Sequence, residues 1–180
     1  MANESPLISS DKFHDECAVF GIYGHKEAAN LAYLGLYALQ HRGQEASGIV
    51  SNDGEQFYVE KGQGLVADIF SQQALARLPG TMAIGHNRYS TAGGAGLKNV
   101  QPLSVNFAFG NLAVAHNGNL INATMLRSEL EAYGAIFQST SDTEVIIHLI
   151  AHSRADTLLD RVIDSLTQVR GAFSVVLMTD

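Results

Sequence analysis

Short β-forming runs and amphipathic helical runs occur in separate blocks along this chain, and this arrangement constrains the fold more than any other feature. The β-forming runs are Cys17–Tyr23, Ala46–Ser51, Gln56–Glu60, Met82–His86, Phe107–Phe109, Leu112–His116 and Ala172–Met178. Asp53-Gly54 favours a hairpin between the second and third runs, and Gly110-Asn111 predicts a turn between the fifth and sixth. We therefore predict an α+β fold of two mainly antiparallel sheets with helices on the outside.

Two helices are predicted from the spacing of apolar residues. The run Glu27–Gln40 is expected to be a buried helix with Leu31, Leu34 and Ala38 on its inner face. The run Thr157–Val169 is expected to pack through five apolar side chains, which are Leu158, Leu159, Val162, Ile163 and Leu166.

Two further helices carry start signals. Asn122 is predicted to cap the helix Ala123–Tyr133, which ends before Gly134. This helix is expected to bury Leu126, Leu130 and Tyr133. The run Ser141-Asp142-Thr143-Glu144 has the pattern of a capping box, and it precedes a strongly apolar helical run. The box places Asp142 in the first turn of that helix.

Composition limits the classes of function. A chain of 180 residues is long enough for one domain with a substantial core. Its net charge of −7 leaves no basic patch for nucleic acid, and the sequence has no apolar run of about 18 residues that could span a membrane. Its single cysteine cannot form an internal disulfide, nor a zinc or iron–sulfur site by itself. We expect a cytoplasmic protein.

That cysteine, Cys17, follows a polar segment, residues 1–16, which has four acidic residues and one lysine. The segment is neither apolar enough for a signal peptide nor basic enough for a transit peptide, so a removable propeptide or a disordered tail is left. Cleavage before Cys17 would create a thiol nucleophile with its own amino group as base. Taken alone, a lone cysteine is more often an inert core residue.

Three other sites, with four residues in all, could carry chemistry. Arg88, at the end of a β-forming run, could hold a carboxylate in two parallel hydrogen bonds. The side chain of Asn117 and the N–H of Gly118 could stabilise an oxyanion, and Asp142 could hold an ammonium group. In isolation each is more often a surface arginine, an ordinary turn or a routine helix-start acid. The glycine-rich residues 92–96 lack the spacing of a phosphate-binding loop, and the histidines show no HExxH spacing typical of a metal hydrolase.

These residues lie within five ordered motifs, which together resemble the N-terminal class II glutamine amidotransferase domain of the amidophosphoribosyltransferase family. The motifs are Asp15-Glu16-Cys17, Leu39-Gln40-His41-Arg42-Gly43-Gln44-Glu45, Gly85-His86-Asn87-Arg88-Tyr89-Ser90-Thr91, Ala115-His116-Asn117-Gly118-Asn119-Leu120 and Ser141-Asp142-Thr143-Glu144. The resemblance extends from Asp15 to the end of the chain. The family usually has glycine where this chain has Ala18.

The resemblance implies an N-terminal nucleophile hydrolase fold, a four-layer αββα sandwich, truncated here at its C-terminal strands. It implies that residues 1–16 are a propeptide, that residues 17–180 are the glutaminase domain, and that Cys17 attacks the amide of glutamine. Asn117 and Gly118 would hold the oxyanion. Arg88, with Thr91 nearby, would bind the α-carboxylate of glutamine, and Asp142 would meet its α-amino group together with Gly118.

In the whole family enzyme, the ammonia reaches a phosphoribosyltransferase domain, which makes 5-phosphoribosylamine from phosphoribosyl pyrophosphate at the start of purine synthesis. This second domain is absent here, and Mg²⁺ and an iron–sulfur cluster would belong to it. The full-length protein is expected to be a homo-oligomer. Two alternatives stay open: a truncated or unprocessed module without activity, and the glutaminase domain of another class II enzyme such as glucosamine-6-phosphate synthase.

Overall fold

The computed structural model describes residues 17–89 and 96–180. Within these residues the strands are β1 (Ala18–Tyr23), β2 (Ala46–Asn52), β3 (Phe57–Gln63), β4 (Met82–Arg88), β5 (Leu103–Phe107), β6 (Gly110–Leu120) and β7 (Gly171–Thr179). The α-helices are α1 (Ala28–Ala38), α2 (Val66–Ile69), α3 (Gln72–Leu75), α4 (Ala123–Ala132), α5 (Thr143–His152) and α6 (Leu158–Gln168). Two 3₁₀ turns, Gln40–Arg42 and Leu97–Asn99, complete the regular structure of the described residues.

The strands form two sheets. The first sheet has the order β1-β4-β2-β3 and the second has the order β5-β6-β7. All of these neighbouring strands run antiparallel, and the β2–β3 pair is the hairpin predicted around Asp53-Gly54. The predicted α+β class with mainly antiparallel sheets is therefore confirmed.

Side chains alternate between the two faces of each strand, and this alternation builds the layers. On β2, Ile49 packs against α1 and α2, whereas its neighbour Val50 packs between the sheets with Ile84 and Met178. On the far side, the second sheet packs against α4, α5 and α6 through a cluster that includes Val114. The order helix, sheet, sheet, helix is the four-layer αββα sandwich that we predicted.

The buried face of α1 differs from the prediction. Leu34 is 55% exposed, and Ala38 is also exposed. The helix instead buries Ala28, Ala32 and Leu36, together with Ala29. The reason is close approach: a Cβ on Gly85 would lie 2.7 Å from Leu36 Cδ1, and a Cβ on Gly35 would lie 2.5 Å from the Phe20 ring, so each contact between α1 and the sheet needs glycine on one side. The prediction followed apolar spacing along the helix, which does not show where the sheet leaves room.

Two predicted boundaries in the second sheet were also wrong. The strand predicted at Phe107–Phe109 is β5 and ends at Phe107, which pairs with Gly110. The connecting residues are therefore Ala108 and Phe109, not Gly110-Asn111. The strand β6 is longer than predicted, because it continues past His116 to Leu120 and pairs with β7 along its whole final part.

The outer helices contain three further differences. Asn122 is the N-cap residue of α4 as predicted, but its side chain makes no capping hydrogen bond. It bonds instead to the Gln168 carbonyl and the Arg170 amide, which ties the start of α4 to the end of α6. Tyr133 is 81% exposed, although Leu126 and Leu130 are buried as predicted. On α6, Leu159 and Ile163 face outward, and Leu158, Val162 and Leu166 form the inner stripe.

None of the helices in the described residues is long and apolar enough to cross a membrane. In the same residues β7 lies at one edge of the second sheet, next to β6.

Candidate active site

A cavity of about 540 Å³ opens where the ends of both sheets meet the start of α5. Its lining includes Cys17, which precedes β1, and Arg88, the last residue of β4. Gly118 contributes from β6, and Asp142 contributes from the residue before α5. Four of the six predicted site residues, far apart in sequence, therefore face one cavity.

Cys17 lies beside the end of β4, because the β1–β4 ladder pairs Ala18 with Asn87. Its Sγ is 3.4 Å from the Tyr89 nitrogen and 3.7 Å from the Tyr89 carbonyl oxygen. Burial raises the pKa of the thiol, and the Tyr89 backbone contacts and the charge of Arg88 only partly oppose this effect. The thiol is thus protonated at neutral pH and needs a base before it can attack. Ala18, at 3% exposed, is accommodated in the core.

The backbone that carries Arg88 is held from several sides. The side chain of Asn87 donates to the Leu36 carbonyl at 2.7 Å and accepts from the Ser47 hydroxyl at 2.7 Å. The amide of Glu45 donates to the Arg88 carbonyl at 3.2 Å. A Cβ on Gly43 would lie 2.9 Å from the Arg88 carbonyl carbon, so only glycine fits there. Residues of the motif 39–45 therefore hold the backbone of Arg88.

The turn predicted at Asn117-Gly118 is extended strand instead. Asn117 pairs with Ser174 and Gly118 pairs with Phe173, so β6 continues through the motif. Gly118 has φ +131°, and a Cβ there would be 2.2 Å from the Ala172 carbonyl oxygen, so glycine is required. Strand alternation places Asn117 on the face of β6 that looks toward the first sheet, with Ala115. Its Oδ1 is buried without a partner in the described residues.

Asp142 is fixed between β6 and α5. Its Oδ2 accepts a hydrogen bond from the Leu120 amide at 3.1 Å, and its Oδ1 is 3.6 Å from Nδ1 of His116. Burial alone would raise the pKa of this carboxyl group, but the hydrogen bond and charge of His116 and the backbone amides outweigh it, so the pKa is lowered. Asp142 is therefore ionised at neutral pH and faces the cavity with a negative charge.

The capping box predicted at residues 141–144 does not form as expected. The Ser141 hydroxyl accepts from the Thr143 amide at 3.3 Å. The Glu144 carboxylate turns away from Ser141 and accepts from the Gln138 and Ser139 amides at 2.8 and 2.7 Å. Glu144 thus shapes the loop before α5, because it supplies an acceptor for two of the loop's backbone amides.

Three polar residues next to the cavity were not predicted. His86 is fully buried, and its Nε2 lies 3.1 Å from the His116 carbonyl oxygen. Gln101 donates to the same oxygen at 3.3 Å and accepts from the His116 amide at 2.7 Å. The His116 ring contacts the Thr143 hydroxyl at 3.1 Å. For the two histidines, a polar residue within a β-forming run was the available signal, whereas Gln101 lies in no such run. The partners of all three are visible only in the structure.

Thr91 lies outside the described residues, as does the predicted propeptide, residues 1–16. Among the predicted site residues that are described, Cys17, Arg88, Gly118 and Asp142 line the cavity. Asn117 lies directly next to Gly118 in β6. The described arrangement combines a thiol, a cation for a carboxylate, an anion for an ammonium group and the N–H of Gly118 for an oxyanion, which suits acyl transfer from a free amino acid.

Comparison with known families matches residues 86–180 to the glutamine amidotransferase domain. The chain belongs to this family. Among curated proteins, it is 54% identical over 173 residues to an amidophosphoribosyltransferase of Rhizobium etli, which covers 96% of this chain and 35% of that protein. It is 52% identical over 168 residues to an amidophosphoribosyltransferase of Bacillus subtilis, covering 93% of this chain and 35% of that protein.

Solved structures agree with this assignment. The structure described as the allosteric regulatory enzyme of purine biosynthesis has a TM-score of 0.86 and 52% identity, covering 89% of this chain and 35% of that one. Glutamine phosphoribosylpyrophosphate amidotransferase from B. subtilis, complexed with ADP and GMP, has a TM-score of 0.84 and 51% identity, with the same coverage. The predicted N-terminal nucleophile hydrolase sandwich is confirmed. The chain spans about a third of the length of these relatives.

Proposed function

We propose that this chain hydrolyses the side-chain amide of glutamine to glutamate and ammonia. The observation that carries the proposal is that Cys17, Arg88, Gly118 and Asp142 line one cavity of about 540 Å³ in a glutamine amidotransferase domain. The charged groups around the cavity suit a small zwitterion, and the thiol of Cys17 would then lie next to the side-chain amide of that zwitterion.

Recognition of glutamine would use opposite charges at separate points. The guanidinium of Arg88 would bind the α-carboxylate in two parallel hydrogen bonds, with Thr91 as a further contact. The ionised Asp142 and the backbone of Gly118 would bind the α-ammonium group. Because Asp142 is held by Leu120 and His116, its position would not depend on the substrate.

The chemical step would begin with removal of the proton from the Cys17 thiol. Cleavage after Glu16 would expose the α-amino group of Cys17, and this amine would take the proton as Sγ attacks the amide carbon. The oxyanion would be stabilised by the Asn117 side chain and the Gly118 N–H. The C–N bond would then break, the ammonium would return its proton to the leaving nitrogen, and ammonia would depart. Water would hydrolyse the remaining thioester to give glutamate and the free thiol.

In the longer protein, we infer that the ammonia is transferred to phosphoribosyl pyrophosphate to give 5-phosphoribosylamine for purine synthesis. The names of the relatives support this activity over that of glucosamine-6-phosphate synthase. The phosphoribosyltransferase part, and the Mg²⁺ and iron–sulfur sites expected with it, would lie outside this chain. Its single cysteine is already assigned as the nucleophile, so it offers no thiolate set for a cluster. A homo-oligomer and a cytoplasmic location remain predictions.

A direct test compares two forms of the chain: the precursor starting at Met1, and a form starting at Cys17, released from a cleavable tag. We expect the second form to release ammonia from glutamine and to gain one covalent adduct from a diazo-ketone analogue of glutamine. The precursor and a Cys17→Ala variant should do neither. Equal ammonia release by the Cys17→Ala variant, or no adduct on the form starting at Cys17, would overturn the proposal and favour a non-catalytic module.

A further inference from the structure

The candidate site is divided between the two sheets. Cys17 and Arg88 belong to the first sheet through β1 and β4, whereas Asn117 and Gly118 belong to β6 of the second sheet. A thiol on one sheet can use an oxyanion site on the other only if the two sheets keep a fixed relative position near the cavity. A displacement of about 1 Å at such a site lowers rates by roughly 100-fold.

One buried side chain bridges the sheets at this point. His86 extends from β4, is fully buried, and contacts the His116 carbonyl oxygen in β6 at 3.1 Å. A carbonyl oxygen only accepts hydrogen bonds, so the ring donates from Nε2 and is in the neutral tautomer with that proton. Burial lowers the pKa of His86 to about 3, which keeps the ring neutral across the physiological range.

The acceptor of this hydrogen bond belongs to the oxyanion site. The carbonyl of His116 and the nitrogen of Asn117 are parts of one planar peptide unit, so fixing the oxygen fixes the start of Asn117. Gln101 holds the same peptide region by bonding to both the carbonyl and the amide of His116. At its other end, His86 pairs with Val19 in the β1–β4 ladder, two positions from Cys17.

From these contacts we propose that His86 is a positioning residue that sets the distance between the Cys17 thiol and the Asn117–Gly118 oxyanion site. It is fully buried, and it acts through the His116–Asn117 peptide, whose carbonyl oxygen its ring contacts. This inference rests on the proposed glutaminase function, although its structural part can be tested without turnover.

The chain offers a matched control at the opposite end of the sandwich. There, the side chain of Asn52 in β2 donates to the Thr179 carbonyl in β7 at 3.2 Å, and Asn52 is fully buried. This is a second hydrogen bond from a side chain of the first sheet to the backbone of the second, and it is part-buried. Loss of either bond should destabilise the sandwich, but only the bond of His86 lies at the cavity.

The test uses His86→Leu, His86→Gln and Asn52→Leu in the form starting at Cys17. We expect His86→Leu to lower kcat for glutamine by roughly 10- to 100-fold with a smaller change in KM, because a misplaced oxyanion site mainly affects the transition state. His86→Gln keeps a donor near the Nε2 position, so its kcat should be at least about tenfold higher than that of His86→Leu. Asn52→Leu should lower the melting temperature without this loss of kcat. Equal effects of His86→Leu and Asn52→Leu on kcat would overturn the inference.

Amide hydrogen exchange gives a readout that needs no activity. In His86→Leu, exchange should become faster in residues 117–120 of β6, and in Asn52→Leu it should not. Alkylation of Cys17 by iodoacetamide should stay within about twofold of wild type in both variants, because the thiol belongs to the first sheet. Unchanged exchange at residues 117–120 in His86→Leu would overturn the inference. Faster exchange there in a protein without glutaminase activity would support it while removing the proposed function.

Discussion

The backbone amide of Leu120 donates a hydrogen bond to the Asp142 carboxylate at 3.1 Å, and this contact joins the last residue of β6 to the start of α5. The same carboxylate lies 3.6 Å from His116 Nδ1 and lines the cavity. Asp142 therefore has its protein partners in place before any ligand enters, and its negative charge is available to a cation in the cavity.

We expect Asp142→Asn to raise KM for glutamine by roughly 10- to 100-fold, with a smaller effect on kcat. An amide oxygen can still accept from Leu120, but the charge that would pair with the α-ammonium group is lost, and such charged hydrogen bonds contribute about 1.5–3 kcal/mol. Steady-state kinetics of ammonia release measure this change. Asp156→Asn, at an exposed position, is the control. An unaltered KM in Asp142→Asn would remove Asp142 from substrate binding.

Gly118→Ala should destabilise the fold by about 2–5 kcal/mol, because its Cβ would meet the Ala172 carbonyl oxygen at 2.2 Å and its φ of +131° is unfavourable for alanine. Gly134→Ala separates the two causes. Gly134 also has positive φ, +91°, but no heavy atom lies within 4 Å of the added Cβ, so we expect a loss of only about 1–2 kcal/mol. Urea unfolding measures both values. Similar losses would show that the close approach of β7 does not determine the need for glycine at residue 118.

Leu36→Ala should cost about 2–5 kcal/mol, since Leu36 is fully buried between α1 and the first sheet and its truncation leaves a cavity. Leu34→Ala on the same helix should change stability by less than about 1 kcal/mol, because Leu34 is 55% exposed. Urea unfolding of both variants measures the two losses in free energy of unfolding. A larger effect at Leu34 would restore the helix face expected from sequence and contradict the packing described here.

The pH dependence of stability should contain a contribution from His86. Burial lowers its pKa from 6.5 to about 3, so between these values the unfolded chain binds a proton that the folded chain does not. Stability therefore rises with pH through this window and is lost as the pH falls. We expect His86→Gln to reduce the difference in unfolding free energy between about pH 4.5 and about pH 7.

The exposed His41 provides the control for that measurement. His41→Gln is expected to keep the wild-type difference between the two pH values. If His86→Gln and wild type show the same difference in unfolding free energy between the two pH values, His86 does not contribute to the pH dependence of stability.

Much of the fold could be predicted because strand and helix periods are local properties. The four layers follow from alternation within each strand, as Ile49 and Val50 show by packing on opposite faces of β2. The inner face of α1 could not be predicted in this way. It depends on how closely the helix approaches Gly85 and Phe20, and that distance is set by residues remote in sequence.

The candidate site, like the fold, could be predicted from the sequence only in part. The motifs identified Cys17, Arg88, Gly118 and Asp142, all of which line the cavity. Three of them lie next to or at the end of an element, whereas Gly118 lies within β6. The supports of the site were not predicted, because their role exists only across elements: Gly43 against the Arg88 backbone, and Gln101 around the His116 peptide. A pattern along the chain shows which residue types are present but not which peptide groups they will hold.

The division of the site between two sheets has a consequence for folding. Cys17 contacts the backbone of Tyr89, and Gly118 pairs with Phe173, so each half needs a contact across more than 50 residues. Contacts between segments so remote in sequence are slow to form, because loop closure costs entropy before packing compensates for it. A nascent or partly folded chain would therefore carry the proposed nucleophile without the proposed oxyanion site, and we expect it to release no ammonia until the two sheets have packed together.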